Sequence, residues 1–106
     1  MNSCLLTLIA TPEVEERLVD WLLDSGHDGV TTSTCQGHGV RTDQLSIAEQ
    51  VVGRQRRVAF WIVMPEDVAM ELVAKLEVTF SQAGLHHWLS PVLSSGPIPS
   101  SHAPSE

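Results

Sequence analysis

The sequence predicts an α+β fold of the ferredoxin-like type, in which a βαββαβ chain forms one four-stranded antiparallel sheet with two helices on one face. Two observations support this prediction. Strand-type and helix-type segments follow one another as strand, helix, strand, strand, helix, strand, so the chain contains the same βαβ pattern twice. The chain has 106 residues, 42% of them hydrophobic, which suits one domain with one modest core.

The first half of the chain contains two predicted strands and one helix. Residues 4–10 read CLLTLIA, an apolar run of strand length. A helix is predicted over 12–24, because Pro12 suits a first helical position, glutamates follow it, and apolar residues then recur at helical spacing. Gly26 is placed to end this helix. Residues 30–36 are rich in β-branched side chains and predict the second strand.

The second half repeats this arrangement. Residues 57–64 read RVAFWIVM and predict the third strand. The second helix is predicted to start at Pro65 and to end at Gly84. Residues 85–93 predict a fourth strand, and Pro91 within it indicates an edge strand or an early end.

A long polar connection separates the second strand from the third. Residues 37–53 form this connection, whose length is uncommon in a compact domain and usually signifies a functional or disordered segment. We expect residues 40–52 to be mobile in the absence of an effector, with one short helical turn at 47–52. Residues 94–106 are rich in Ser and Pro and predict a flexible tail, so the folded domain is expected to span 1–93.

Both faces of the predicted sheet are apolar, although two helices can cover only one of them. On the third strand, Val58, Phe60, Ile62 and Met64 alternate with Ala59, Trp61 and Val63. A face of four strands, each ~17–20 Å long, measures roughly 350 Å². Covering it contributes about 9 kcal/mol gross, against an association cost of ~4–15 kcal/mol. The second apolar face therefore predicts an oligomer that associates through its sheets, with further contacts. We expect Trp61 and Val63 to lie away from the helices and to be buried between subunits.

Composition argues against several classes of function. Thirteen acidic and six basic side chains give a formal net charge of −7, which is unfavourable for nucleic-acid binding. No apolar run reaches the ~18 residues of a membrane span, and the N-terminal residues lack the features of a secretory signal. Cys4 and Cys35 suggest no disulfide framework. We expect a soluble cytoplasmic protein without direct membrane insertion.

Two groups of residues are candidate ligand-binding groups. Gly37 and Gly39 could present backbone N–H groups to an anion, and the guanidinium groups of Arg54 and Arg56 could hold a phosphate or carboxylate. The alternatives without a ligand are that the glycines form an ordinary turn and that the arginines form surface ion pairs. Arg57 is assigned to such an ion pair.

Histidines and one glutamate form a candidate metal site. Imidazole binds Zn, Cu or Ni, and the proposed ligands are His38, His86 and Glu49. His86 and His87 are adjacent on a strand and point to opposite faces, so a site needs ligands from the long loop or from another subunit. The alternative is that these histidines are polar residues lining an interface. Cys35, where the strand enters the loop, is a soft ligand or an inert thiol.

These features together resemble the PII-like signalling proteins, which are trimers whose sheets face inward and whose long T-loop leaves between strands two and three. The narrower resemblance is to a PII-like group encoded beside heavy-metal efflux pumps. It covers residues 4–93 and rests on Cys4-Leu5-Leu6, Gly37-His38-Gly39, Leu45-Ser46, Ala48-Glu49-Gln50-Val51, Gly53-Arg54, Arg56-Arg57, His86 and Trp88.

The resemblance implies a non-catalytic regulator. It implies a homotrimer that binds an effector in clefts between subunits and uses loop 37–53, through Ser46, Glu49 and Gln50, to engage a membrane metal-efflux system. The phosphate-binding loop of nitrogen-signalling PII proteins is replaced here by residues 81–84, with one Gly and no Lys, and the chain has no Tyr. A divalent transition metal is therefore the first effector hypothesis, and an adenine nucleotide the second.

The sequence lacks the motifs on which other proteins of this topology depend. Metallochaperones carry Cys-x-x-Cys, and acylphosphatases a Gly-containing loop with an Arg, where this chain has Ala10-Thr11-Pro12. No Ser–His–Asp or Cys–His arrangement is evident, so we predict that the protein is not an enzyme. Two alternatives remain open: a soluble metal-binding or buffering protein without a signalling partner, and a purely structural oligomer.

Overall fold

The computed structural model describes residues 2–27, 29–38 and 55–99. Its elements are β1 (Ser3–Ala10), a 3-10 turn (Pro12–Val14), α1 (Glu15–Asp24), β2 (Thr31–Gly37), β3 (Gln55–Pro65), α2 (Glu66–Thr79) and β4 (His86–Pro91). The four strands form one antiparallel sheet in the order β2-β3-β1-β4. The predicted ferredoxin-like fold class and the predicted order of elements are therefore confirmed.

Both helices differ from prediction at one end. The predicted helix over 12–24 begins as a 3-10 turn, closed by a hydrogen bond from Val14 N to Thr11 O at 3.1 Å. α2 ends at Thr79 rather than at Gly84, which instead closes the following turn with a φ of 70° that glycine adopts without strain. Within residues 2–27, 29–38 and 55–99, neither helix has the length and apolar character to cross a membrane.

The strands follow the predicted alternation with small changes in length. β3 extends from residue 55 to residue 65, longer than the predicted 57–64 at both ends. β4 is an outer strand of the sheet and ends at Pro91, as predicted from the proline. After it, residues 92–99 form neither helix nor strand.

The core lies between the helices and one face of the sheet. Alternate residues of β1 and β3 point into it, together with the apolar sides of both helices; the largest fully buried side chains are Phe60, Leu6, Leu8, Leu18, Leu22 and Val58. At the helix ends, the rings of Trp21 and Phe80 meet edge to face at 5.6 Å, and the Arg17 guanidinium lies 5.7 Å from the Phe80 ring centre. The helices are thereby fixed on one face of the sheet.

The other face of the sheet is uncovered. We define the open sheet face by the side chains opposite to the core on all four strands: Leu5, Thr7, Ile9, Thr31, Ser33, Cys35, Arg57, Ala59, Trp61, Val63, His86, Trp88 and Ser90. One row crosses the sheet in register from Thr31 through Trp61 and Thr7 to Trp88. Val63 and Trp88 keep 46% and 50% of their surface exposed. The prediction that Trp61 and Val63 lie away from the helices is confirmed.

Burial is expected to keep the thiol of Cys4 unreactive. Cys4 is 5% exposed, and this burial, with the Glu66 carboxylate as a second cause, raises the pKa of its thiol. Because the thiolate is the reactive form, iodoacetamide at about pH 8 should label Cys4 only after denaturant is added, and half-buried Cys35 should react earlier. Peptide mass spectrometry checks this order; native labelling of Cys4 as fast as that of Cys35 would contradict it.

Candidate functional site

The long connection leaves the sheet at one defined end. β2 and β3 remain paired as far as Gly37, which lies opposite Gln55. A Cβ on Gly37 would lie 3.5 Å from the Gln55 side-chain oxygen, an ordinary contact, so the backbone here does not require glycine. The predicted anion contact of Gly37 stays a prediction, and Gly39, its predicted companion, lies outside the described residues.

The arginines at the start of β3 point to opposite sides of the sheet. Arg56 lies opposite Gln36 and shares the helix side with Val58, whereas Arg57 lies opposite Cys35 on the open sheet face. The Arg57 guanidinium Nη1 donates a hydrogen bond to the backbone carbonyl of Arg56 at 2.7 Å. Because they point to opposite faces of the sheet, Arg56 and Arg57 cannot both bind one ligand from the same face. Arg54, the predicted companion of Arg56, lies outside the described residues.

A groove at this end of the sheet is lined mainly by polar side chains of β2, β3 and the start of α1. We call it the loop-base groove; it has a volume of about 610 Å³ and is lined by Pro12, Glu15, Thr34, Cys35, Gln36, Arg56, Arg57 and Val58. This volume falls in the range of roughly 300–1,000 Å³ typical of small-molecule sites. The Arg56 guanidinium suits an anionic ligand, while the carboxylate of Glu15, which also lines the groove, would favour a ligand that also carries donors.

Sequence reasoning missed the helical wall of this groove. Glu15 begins α1, which starts close to the end of β2 only once the sheet is assembled. Thr34 and Gln36 line the groove through the helix side of β2. The two-residue alternation of a strand could have shown that Thr34 and Gln36 share one side of β2, opposite to Cys35.

The predicted metal ligands do not meet within one chain. His38 follows the end of β2 and His86 begins β4, and both are exposed. These strands are the two outer strands of the sheet, three spacings or about 14 Å apart. His86 lies opposite Ile9 and His87 opposite Leu8, so the prediction that they face opposite sides is confirmed.

The described residues hold no preformed metal cluster. Within that part of the chain, no three His, Cys, Asp or Glu side chains come close enough together to bind a metal ion. Glu49, the third predicted ligand, and the predicted partner-binding residues Ser46 and Gln50 lie outside the described residues. The metal assignment of His38 and His86 therefore stays a prediction that needs ligands from the connection or from a second subunit.

The turn between α2 and β4 lies at the same end of the sheet as the long connection. It comprises residues 81–84, and β4 begins beside Ile9, one residue before β1 ends. The backbone N–H of Ala83 donates to the carbonyl of Phe80 at 3.0 Å, so the turn is closed by its own hydrogen bond. The turn and the base of the connection therefore lie at the same end of the sheet but at its two opposite edges.

Comparison with known proteins places this architecture in a family. Residues 1–99 match the model of a family described as a protein of unknown function, DUF3240. No curated protein matches the sequence.

Three solved structures share the fold. A DUF3240 family protein from Shewanella baltica is 19% identical, with a TM-score of 0.74 over 93% of this chain and 99% of that one. A candidate PII-like signalling protein from Thermus thermophilus is 24% identical, with a TM-score of 0.61 over 87% and 91%. CPII, a nitrogen regulatory PII-like protein from Thiomonas intermedia bound to ADP, AMP and bicarbonate, is 17% identical, with a TM-score of 0.68 over 92% and 98%.

These matches confirm the predicted resemblance to PII-like proteins at the level of the fold. With its family model matched over residues 1–99, the chain belongs to the DUF3240 family and has a PII-like fold.

Proposed function

We propose that this chain is a non-catalytic, PII-like regulatory protein of the cytoplasm. Three copies would assemble through the open sheet face, bind a small effector in the clefts between subunits, and use loop 37–53 to act on a partner protein. The observation that carries the proposal is the uncovered apolar face of a PII-like sheet, with the loop-base groove at one end of it.

The open sheet face supports assembly because several of its apolar side chains stay partly exposed in one chain. Trp61 is half-buried and Val63 and Trp88 are about half exposed. In a closed ring of such sheets, the β2 edge of one subunit would face the β4 edge of the next. The loop-base groove would then adjoin His86 of the partner subunit, which brings groups together that one chain keeps about 14 Å apart.

This arrangement accommodates either of two effector classes. A divalent transition metal would take His38, Glu49 and His86 of the partner subunit as ligands. A nucleotide or other anion would use the backbone at Gly37 and Gly39 and the guanidinium groups of Arg54 and Arg56. The bound ADP, AMP and bicarbonate of the Thiomonas protein support the second class, whereas the single glycine and missing lysine of residues 81–84 favour the first.

The partner proposed for loop 37–53 is a membrane metal-efflux system. This part of the proposal rests on the sequence resemblance of the loop, including Ser46, Glu49 and Gln50, to the efflux-associated group. Titration calorimetry with Zn²⁺, Cu²⁺, Ni²⁺ and Co²⁺, and separately with ATP, ADP, AMP and bicarbonate, tests the effector. Light scattering on the same samples tests the trimer. A protein that binds none of these ligands would contradict the regulatory proposal.

Effector binding is expected to protect loop 37–53 from trypsin. Cleavage of the effector-free protein should begin at Arg41 or Arg54, and a saturating effector should slow it because the ordered loop no longer fits a protease. Mass spectrometry of timed digests locates the cuts, and Arg17 in α1 serves as the internal reference site. Equal cleavage at Arg41 and Arg54 with and without a bound effector would argue against a switch.

A further inference from the structure

The helical segments of this protein account for its formal net charge. The segments 12–24 and 66–79 carry nine carboxylates against only Arg17 and Lys75, a formal charge of −7 that equals the formal net charge of the whole chain. The carboxylates are those of Glu13, Glu15, Glu16, Asp20, Asp24, Glu66, Asp67, Glu71 and Glu77. All remaining residues together are formally neutral. The molecule is therefore a slab with one apolar face and one strongly acidic face.

An apolar stripe runs along the acidic face. Met70, Ala74 and Val78 follow one another at four-residue spacing on α2, on the side opposite the buried Leu72 and Leu76. Met70 is 58% exposed and Val78 is 80% exposed. α2 thus has a second apolar side that no part of the described chain covers. We call these three residues the α2 stripe.

Charged side chains flank the α2 stripe on both sides. Asp67 and Glu71 lie on one side of it, in the same row as Lys75, and Glu77 lies on the other side, all of them exposed. The stripe spans about 12 Å, or a little over two helical turns. With three carboxylates and one lysine beside it, this apolar line is complementary to a helix that presents apolar residues next to lysines or arginines.

We propose that the α2 stripe and its flanking carboxylates form a docking surface for a basic amphipathic helix of a partner protein. The surface lies on the face opposite to the proposed assembly interface and contains no residue of loop 37–53, so it goes beyond the proposed function. A second copy of this chain is a poorer fit, because stacking two α2 helices would bring Asp67, Glu71 and Glu77 of both copies together with only Lys75 of each to balance them. An anionic membrane is repelled for the same reason.

The test uses a fluorescent 18-residue peptide of leucine and lysine, with leucines at i, i+3, i+4 and i+7 so that it forms a basic amphipathic helix. Binding to the full chain is followed by anisotropy at low and high salt. Met70→Ser/Val78→Ser should weaken binding about tenfold or more at both salt concentrations, because the exposed apolar groups no longer provide buried area. Glu71→Gln/Glu77→Gln should weaken it mainly at low salt, where charges are least screened.

Matched controls separate docking from general attraction to an acidic surface. Glu13→Gln/Glu16→Gln makes the same change of charge on the other helical segment, and Leu93→Ser/Ile98→Ser removes two exposed apolar groups elsewhere; both should leave the affinity within about twofold.

Four results would overturn the proposal. The first two are a peptide that does not bind the parent protein at low salt, and a stripe variant that binds the peptide as tightly as the parent does. The third is a Glu13/Glu16 control that loses as much affinity as the Glu71/Glu77 variant. The fourth is a stripe variant that differs from the parent instead in its assembly mass or in its binding to phosphatidylserine vesicles. Circular dichroism on each variant confirms that the helices are retained. Since the stripe takes no part in assembly or effector binding, its failure leaves the proposed function unaffected.

Discussion

Trp61→Glu should break the assembled protein into smaller or unfolded species. Trp61 lies in the middle of the open sheet face, between Thr31 and Thr7 in the register of the sheet. If sheets pack against one another there, the substitution buries a carboxylate with no partner, at a cost of several kcal/mol for each copy. That cost is comparable to the whole free energy that covering this face provides, so the effect on assembly should be nearly complete.

Light scattering at micromolar concentration measures the expected change. The parent protein should have the mass of a trimer, and the variant should not. Val63→Glu is a second variant, at a side chain that is already 46% exposed in one chain, and it should act in the same direction with less damage to the fold. Val78→Glu is the matched control, since it adds the same charge to an exposed apolar position on the helical face. A monomeric parent, or dissociation by Val78→Glu alone, would contradict assembly through the sheet.

The fold could be predicted because its signals are local. The alternation along β3 separates Phe60 from Trp61 in any sheet, whatever the rest of the chain does, and it correctly identified the core face and the open sheet face. The ends of helices depend on weaker competing hydrogen bonds. Val14 bonds three residues back to Thr11 rather than four, and the turn after Thr79 completes its own bond before Gly84.

The candidate site was predicted less well because it is assembled from distant segments. No spacing along the sequence shows that Glu15 and Arg56 line the same groove, since only the pairing of strands brings the start of α1 beside the end of β2. His38 and His86 were grouped by chemistry alone, and the strand order separates them within one chain. The sequence also contained the spacing of Met70 and Val78, but its meaning appeared only once Leu72 and Leu76 were found to fill the core side of α2.

Two double variants should decide which effector class the protein binds. Arg54→Ala/Arg56→Ala should abolish or strongly weaken binding of a nucleotide or other anion. Each lost charge-assisted hydrogen bond is worth ~1.5–3 kcal/mol, or about tenfold or more in affinity. His38→Ala/His86→Ala should instead abolish binding of a transition metal, and metal binding by the parent should weaken below about pH 6, where imidazole is protonated and ceases to be a ligand.

Each double variant is titrated with both ligand classes, so that each serves as the control for the other. Loss of anion binding in the arginine variant with intact binding in the histidine variant would exclude the metal site, and the reverse result would exclude the anion site. Arg56 also makes interactions within the chain, so thermal unfolding and light scattering must show that both variants remain folded and assembled. The histidine variant carries a further consequence. Because one chain holds His38 and His86 on opposite edges of its sheet, metal binding that depends on both residues requires the ring of subunits, and Trp61→Glu should then abolish it as well.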